Sequence, residues 1–110
     1  MKLNYTTKNG RLSVEIEGET QCDLFEELGS FQEVFDQTKC EKCDSEDLSF
    51  VTRVVDDNPY HELRCNGCRA KLQFGKNKKG GGLFPKRKEG DEYLPDKGWV
   101  RWNSEKRKNE

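Results

Sequence analysis

Between Lys2 and Glu17, apolar and polar positions alternate on both sides of Asn9-Gly10, with Leu3, Tyr5 and Thr7 before it and Leu12, Val14 and Ile16 after it. A period of two puts each set on one face of a strand, and Asn-Gly tolerates the positive φ angles of a type I′ turn. The pattern therefore predicts a β-hairpin closed at that dipeptide. Glu15, Glu17 and Glu19 fall on the opposite, solvated face. From Thr20 the period becomes helical. Thr20 is an N-cap with Asp23 three residues on, and Leu24, Leu28, Phe31 and Phe35 form a stripe flanked by Phe25 and Val34. An amphipathic helix is predicted over 20–37, with Phe25, Phe31 and Phe35 read as core packing and Glu26, Glu27 and Glu33 facing outward. Gly29 costs this helix about 1 kcal/mol relative to Ala. Cys22, in its first turn, reads as a bystander thiol.

Further along, Leu48–Val55 reads as a strand, Asp56–Pro59 as a turn, Tyr60–Arg64 as the returning strand and Ala70–Phe74 as a third. Residues 75–82 form a cationic glycine loop, followed by Leu83–Lys88, by Tyr93, Leu94, Pro95, Trp99 and Trp102, and by a charged end. There is no internal repeat. The chain thus divides into an acidic hairpin and helix (1–37), a central unit (38–75), and a basic glycine-rich loop with an aromatic tail (76–110).

Composition changes this picture in two ways. Leu, Ile, Val and Phe supply only 22 of 110 residues, at the border of disorder, so a large core cannot form and something must supplement it. The net charge of -1 hides a division: residues 1–68 carry 7 basic and 15 acidic side chains, residues 69–110 carry 13 and 6. No basic segment leading into an apolar stretch opens the sequence, and no run approaches the roughly 18 apolar residues that span a bilayer. The expectation is a soluble protein of a reducing cytoplasm, with no membrane partner.

Five cysteines are many for this length. Four fall as Cys40-Glu-Lys-Cys43 and Cys65-Asn-Gly-Cys68 with 21 residues between the pairs, leaving Cys22 over. In a C-x2-C turn both sulfurs point to one side of a tight bend, and two such turns at the ends of a hairpin close a tetrahedron of thiolates around one Zn2+. A redox C-x-x-C stands singly beside a βαβ pattern, absent here, and iron–sulfur sites cluster their cysteines differently. Four thiolates leave no open position on zinc, so the metal is structural, and its binding energy supplements the small core. His61, four residues before Cys65, reads as a surface strand residue rather than a ligand. No nucleophile elbow or Ser/His/Asp arrangement is present, so no catalytic residue is assigned and the chain is expected not to be an enzyme.

The two cysteine pairs and the strands between and after them resemble a zinc ribbon over residues 38–75. The resemblance implies two cysteine knuckles and a three-stranded antiparallel sheet, making the chain an α+β protein in which a small zinc ribbon follows a β-hairpin and one amphipathic helix. The wider layout, with Lys78-Lys-Gly-Gly-Gly-Leu-Phe-Pro-Lys-Arg-Lys88 and a terminal Gly98-Trp-Val-Arg-Trp102, resembles small zinc-ribbon proteins encoded by bacteriophages and prophages. That implies a setting in phage or host DNA metabolism, in the cytoplasm of a bacterial host cell.

Residues 69–88 contain Arg69, Lys71, Lys76, Lys78, Lys79, Lys86, Arg87 and Lys88 and no acidic residue. Such a run suits phosphates, and aromatic rings among cations suit single-stranded nucleic acid, because bases stack while cations follow the backbone. Phe74, Phe84 and Trp99 are the first candidates for stacking; the competing reading makes the aromatics core cover and the lysines solvated surface. The acidic hairpin and helix would face a host or phage protein. A competing expectation is therefore a protein-interaction module, such as a phage-encoded modulator of a host enzyme or defence system. An enzyme or small nucleotide binder built around the glycine loop is a third, although the loop lacks the Gly-Lys-Ser/Thr ending of a phosphate-hydrolysing P-loop.

Overall fold

The computed structural model of the protein describes residues 1–77 and 81–110, so Lys78 and Lys79 lie outside the described residues. Strands β1 (Lys2–Thr6) and β2 (Ser13–Glu17) pair antiparallel with Leu3 opposite Ile16 and Tyr5 opposite Val14, the apolar set that the alternation predicts. The turn differs from the expected type. The Gly10 N–H donates to the Thr7 carbonyl (2.8 Å), only Gly10 takes a positive φ (74°), and the Thr7 N–H donates to the Leu12 carbonyl (2.9 Å). The connection is therefore a four-residue loop over 8–11. Asn9 shapes it through its side chain, which accepts from the Arg11 N–H (3.0 Å) and the Thr7 hydroxyl (2.7 Å).

Helix α1 spans Gln21–Phe35, and Thr20 and Asp23 exchange reciprocal hydrogen bonds in a full capping box. It buries Leu24 and Val34, half-buries Leu28 and Phe31, and packs between the hairpin and the main sheet. Asp36, just past its end, accepts from the Tyr5 hydroxyl and the Lys8 N–H, tying helix to hairpin. The rings of Tyr5, Phe31, Phe35 and Phe50 follow one another at centroid separations of 5.9, 5.0 and 5.6 Å. Phe25 departs from the expected core role: it is 80% exposed, because it lies next to Leu24 on the turn that faces solvent.

The main sheet contains β3 (Leu48–Val55), β4 (Asn58–Cys65) and β5 (Lys71–Lys76) in antiparallel order. The type I′ geometry occurs in this sheet, at Asp56-Asp57 (φ 51° and 65°), which closes β3 onto β4. Beyond β5 the chain is strand as well as loop. β6 (Leu83–Pro85) pairs with the far half of β5, short strands β7 (Lys88–Glu89) and β8 (Glu92–Tyr93) make a small ribbon, and β9 (Trp99–Val100) pairs with the near half of β5. A last pair, β10 (Trp102–Asn103) and β11 (Lys108–Asn109), ends the chain.

One face of this sheet is the core. Leu63, Cys65, Leu72, Phe74 and Trp99 gather there with Val34 of α1, Cys40 and Ala70. Trp99 is wholly buried opposite Leu72, and Phe74 is 7% exposed. Neither ring offers a free face to a base, which corrects the expectation of stacking for both. Among the described residues no helix is long and apolar enough to cross a membrane.

Candidate metal centre

The two C-x2-C segments fold into matching turns. In the first, the Asp44 N–H donates to the Cys40 carbonyl (2.8 Å) and the Cys40 N–H to the Ser45 carbonyl (2.9 Å). In the second, the Arg69 N–H donates to the Cys65 carbonyl (3.0 Å) and the Cys65 N–H to the Ala70 carbonyl (2.9 Å). The residue after each second cysteine, Asp44 and Arg69, takes a positive φ (63° and 67°). Arg69, expected among the phosphate-binding residues, thus has a backbone role in the knuckle while its side chain is exposed.

These turns bring Cys40, Cys43, Cys65 and Cys68 together, with all four sulfurs within 4.8 Å of one another. Cys40 and Cys68 sulfurs are 3.6 Å apart, Cys43 and Cys65 sulfurs 3.5 Å. A tetrahedron with metal–sulfur bonds of about 2.3 Å has edges of about 3.8 Å, whereas a disulfide needs about 2.05 Å. The cluster has the dimensions of a single-metal site and can hold one metal ion.

The electrostatics fit this role. The Lys42 N–H donates to the Cys40 sulfur (3.3 Å) and the Cys68 N–H to the Cys65 sulfur (3.4 Å), bonds that favour thiolates. Burial pushes the Cys40 thiol up to about 12 in spite of its backbone donors. Burial acts on Cys65 in the same sense, but the Cys68 and Gly67 N–H groups and the Cys43 sulfur outweigh it and bring the thiol down to about 7. Cys43 has the Ser45 N–H favouring its thiolate, yet the neighbouring Cys65 and Cys68 sulfurs raise it. Cys40 and Cys65 are buried in the core and Cys43 is exposed, so the cluster lies at the surface end of the core. Ion pairs brace it from outside: Lys42 to Asp96 (2.6 Å) and Glu41 to Lys97 (3.6 Å) tie the first knuckle to the turn that precedes Trp99. His61 sits in β4 opposite Thr52 and Phe74, outside the cluster, and Cys22 is an exposed residue of α1.

The other candidate residues divide between the two faces of the sheet. Lys71 and Phe84 lie on the outer face, away from the core, and Lys86 joins them because its N–H donates to the Gln73 carbonyl (2.8 Å). Lys88 extends the group across a neighbouring cavity of about 400 Å3. Lys76 is exposed on the opposite parity, across from Leu83, and Arg87 is half-buried with its carbonyl bound by the Leu94 N–H. Phe74 and Trp99 are core, as described above.

The sequence reading missed Arg53, Glu62 and Arg64 on this outer face. Glu62 is 3% exposed beneath Arg53 (Nε to Oε1, 3.1 Å) and Arg64 (Nε to Oε2, 3.3 Å). Burial would raise its carboxyl, but hydrogen bonds and charge from Arg64, with Arg53 and Lys71, hold it below the usual carboxylate value. The signal was available in the parity of the hairpin: with Asp56-Asp57 as its turn, positions 53, 62, 64 and 71 share a face. Comparisons of the chain with protein-family models, with curated proteins and with solved structures find no match.

Proposed function

We propose that the protein is a non-enzymatic zinc ribbon that binds nucleic acid, single-stranded in preference, through its basic half. Thiolates are soft ligands, and four of them in a tetrahedron select Zn2+ and complete its coordination, which makes the ion structural. The order of knuckle, hairpin and third strand supports the ribbon reading, with β6 and β9 added beyond β5. One observation supports the nucleic-acid reading: Lys71 and Lys86 lie on the same face of the sheet as Phe84, which is 42% exposed, and Lys88 lines a cavity with Lys86, so cations and an aromatic ring occur on one surface. The setting in phage or host DNA metabolism, and the cytoplasm as its place, rest on the sequence resemblance alone.

The test is fluorescence anisotropy of a labelled oligothymidylate of about ten nucleotides titrated with zinc-loaded protein at two salt concentrations. Binding that weakens steeply with salt is expected; absence of binding at low salt refutes the reading. A second reading, a protein-interaction module acting through the acidic face, is favoured by Phe25, which stands 80% exposed beside Glu26 and Glu27. It predicts a stable complex with a basic protein surface and no affinity for oligonucleotides.

A further inference from the structure

The outer face of the main sheet has a feature that the basic stretch alone does not predict. Arg64 of β4 and Lys71 of β5 are directly opposite each other in the register, on the same face. Like charges so placed repel. Arg53 joins them from β3. The only carboxylate among them, Glu62, is buried beneath the two arginines, so it orients their guanidinium groups while hiding its own charge from solvent. Each arginine side chain remains 45% exposed. Arg53 and Arg64 each donate one hydrogen bond to Glu62 Oε1, and among the described residues neither side chain makes another, so most of the five donors of each remain available.

Two cavities extend this surface. One of about 120 Å3 includes Arg53, Tyr60, Glu62 and Gln73 in its lining, and the other, of about 400 Å3, includes Gln73, Val100, Lys88 and Lys108. Gln73 and Lys86 line both, so the two cavities adjoin at these side chains, and Glu89 also lines the larger one. At its β6 side the sheet carries an apolar step. Gly75 faces Phe84, and a Cβ on Gly75 would lie 2.5 Å from the Phe84 ring, so the ring lies against the glycine backbone with 42% of the residue exposed.

Resting on the nucleic-acid reading above, we infer that a single strand of nucleic acid crosses this outer face. Its phosphates lie on Arg53, Arg64, Lys71 and Lys86, and a base stacks on Phe84. Two of the five residues named thus come from the acidic half of the chain. The glycine loop is not the centre of the site. Phosphates relieve the Arg64–Lys71 repulsion, and a ring packed over Gly75 with the residue 42% exposed offers aromatic surface to a base. Duplex DNA is disfavoured because its bases are already stacked on each other.

The test compares variants of the zinc-loaded protein by anisotropy with the same oligothymidylate, zinc content and circular dichroism being checked for each. Removing Arg53, Glu62 and Arg64 together (R53A/E62Q/R64A) leaves no buried carboxylate unpaired; K71A/K86A strips the lysines without touching that trio. Each lost phosphate contact should lower the slope of log K against log salt by about 0.7 and weaken binding about 5-fold at 0.1 M salt, so each variant should lose about 25-fold. F84A should weaken binding about tenfold with an unchanged salt slope, the signature of lost stacking. K2A/K8A, of equal charge change to K71A/K86A but on the N-terminal hairpin, should stay within about 5-fold of the original protein. Loss confined to K78A/K79A, with the face variants unaffected, would overturn this placement while leaving nucleic-acid binding intact. Equal affinity for a duplex of the same length, with F84A silent, would also overturn it. No binding by the original protein would instead remove the reading on which the placement rests.

Discussion

Stripping the metal should unfold the sheet, and Trp99 should report it. Two of the eight residues of the core cluster, Cys40 and Cys65, are members of the metal cluster, and they touch a core with few other large apolar side chains. Binding of a structural zinc contributes on the order of 10–16 kcal/mol, comparable to the roughly 5–15 kcal/mol of net stability of a whole domain. The metal-free chain therefore has no reserve with which to hold this core at 25 °C. Trp99 is wholly buried opposite Leu72, and the turn before it is held by the Lys42–Asp96 and Glu41–Lys97 pairs to the first knuckle. Loss of the knuckle releases that turn and then the indole. Trp102 is already 58% exposed and supplies a constant background. Chelation should shift tryptophan emission to the red, open it to acrylamide quenching and abolish the cooperative melting transition. Cys40→Ser should do the same without chelator, because a buried hydroxyl replaces a buried ligand. A fully demetallated protein with unchanged emission, quenching and melting would refute the argument, for it would mean that the apolar residues suffice.

Two further outcomes follow from particular contacts. Thr20→Ala removes the side chain that accepts from the Asp23 N–H, so it should cost about 1 kcal/mol, seen as a lower urea midpoint with unchanged slope. Glu62→Gln should cost on the order of 1–2 kcal/mol at pH 7, the low end for charged hydrogen bonds because both arginines are half-exposed. Its folded carboxyl is held below the ordinary glutamate value of 4.5, so its contribution is present above that pH and is lost as pH falls through the lower folded value. The stability gap between original and variant, measured by urea titration, should therefore close on acidification below about 4.5; a gap constant down to pH 3 would contradict the ion pairing.

Much of this organisation is legible in the sequence because it is local. The period-two and helical stretches, the Thr20–Asp23 cap and the C-x2-C pairs each carry their signal within a few residues. The misreadings come where side-chain bonding within a loop or a partner distant in sequence decides. Asn9-Gly10 has the composition of a type I′ turn, but bonding of the Thr7 and Asn9 side chains around the loop selects a longer connection. Trp99 reads equally as a stacking ring or as core, and only its pairing with β5, which the basic stretch separates from it in sequence, decides for core. The Arg53–Glu62–Arg64 group escaped notice for a related reason. Its members lie in the acidic half, and a count of charge by segment cannot see which side chains a hairpin places on one face.

The metal site and the cationic face are parts of one construction. Cys65 ends β4, the knuckle over 65–70 reverses the chain, and Lys71 begins β5. The register that this knuckle imposes sets Arg64 against Lys71. Without the metal, a hairpin of such polar strands would relax its register or fray to separate the two cations, since a pair of strands alone is marginal in water. A metal bound by the four cysteines would hold the knuckle closed and so keep the charges together, with Glu62 compensating part of the repulsion from beneath. On the proposed nucleic-acid reading, a bound polyanion would relieve that repulsion. Metal loading and oligonucleotide binding should then be coupled through the 65–70 turn: occupancy of the cluster would fix the spacing of Arg64 and Lys71, and phosphates placed there would stabilise the closed knuckle in return.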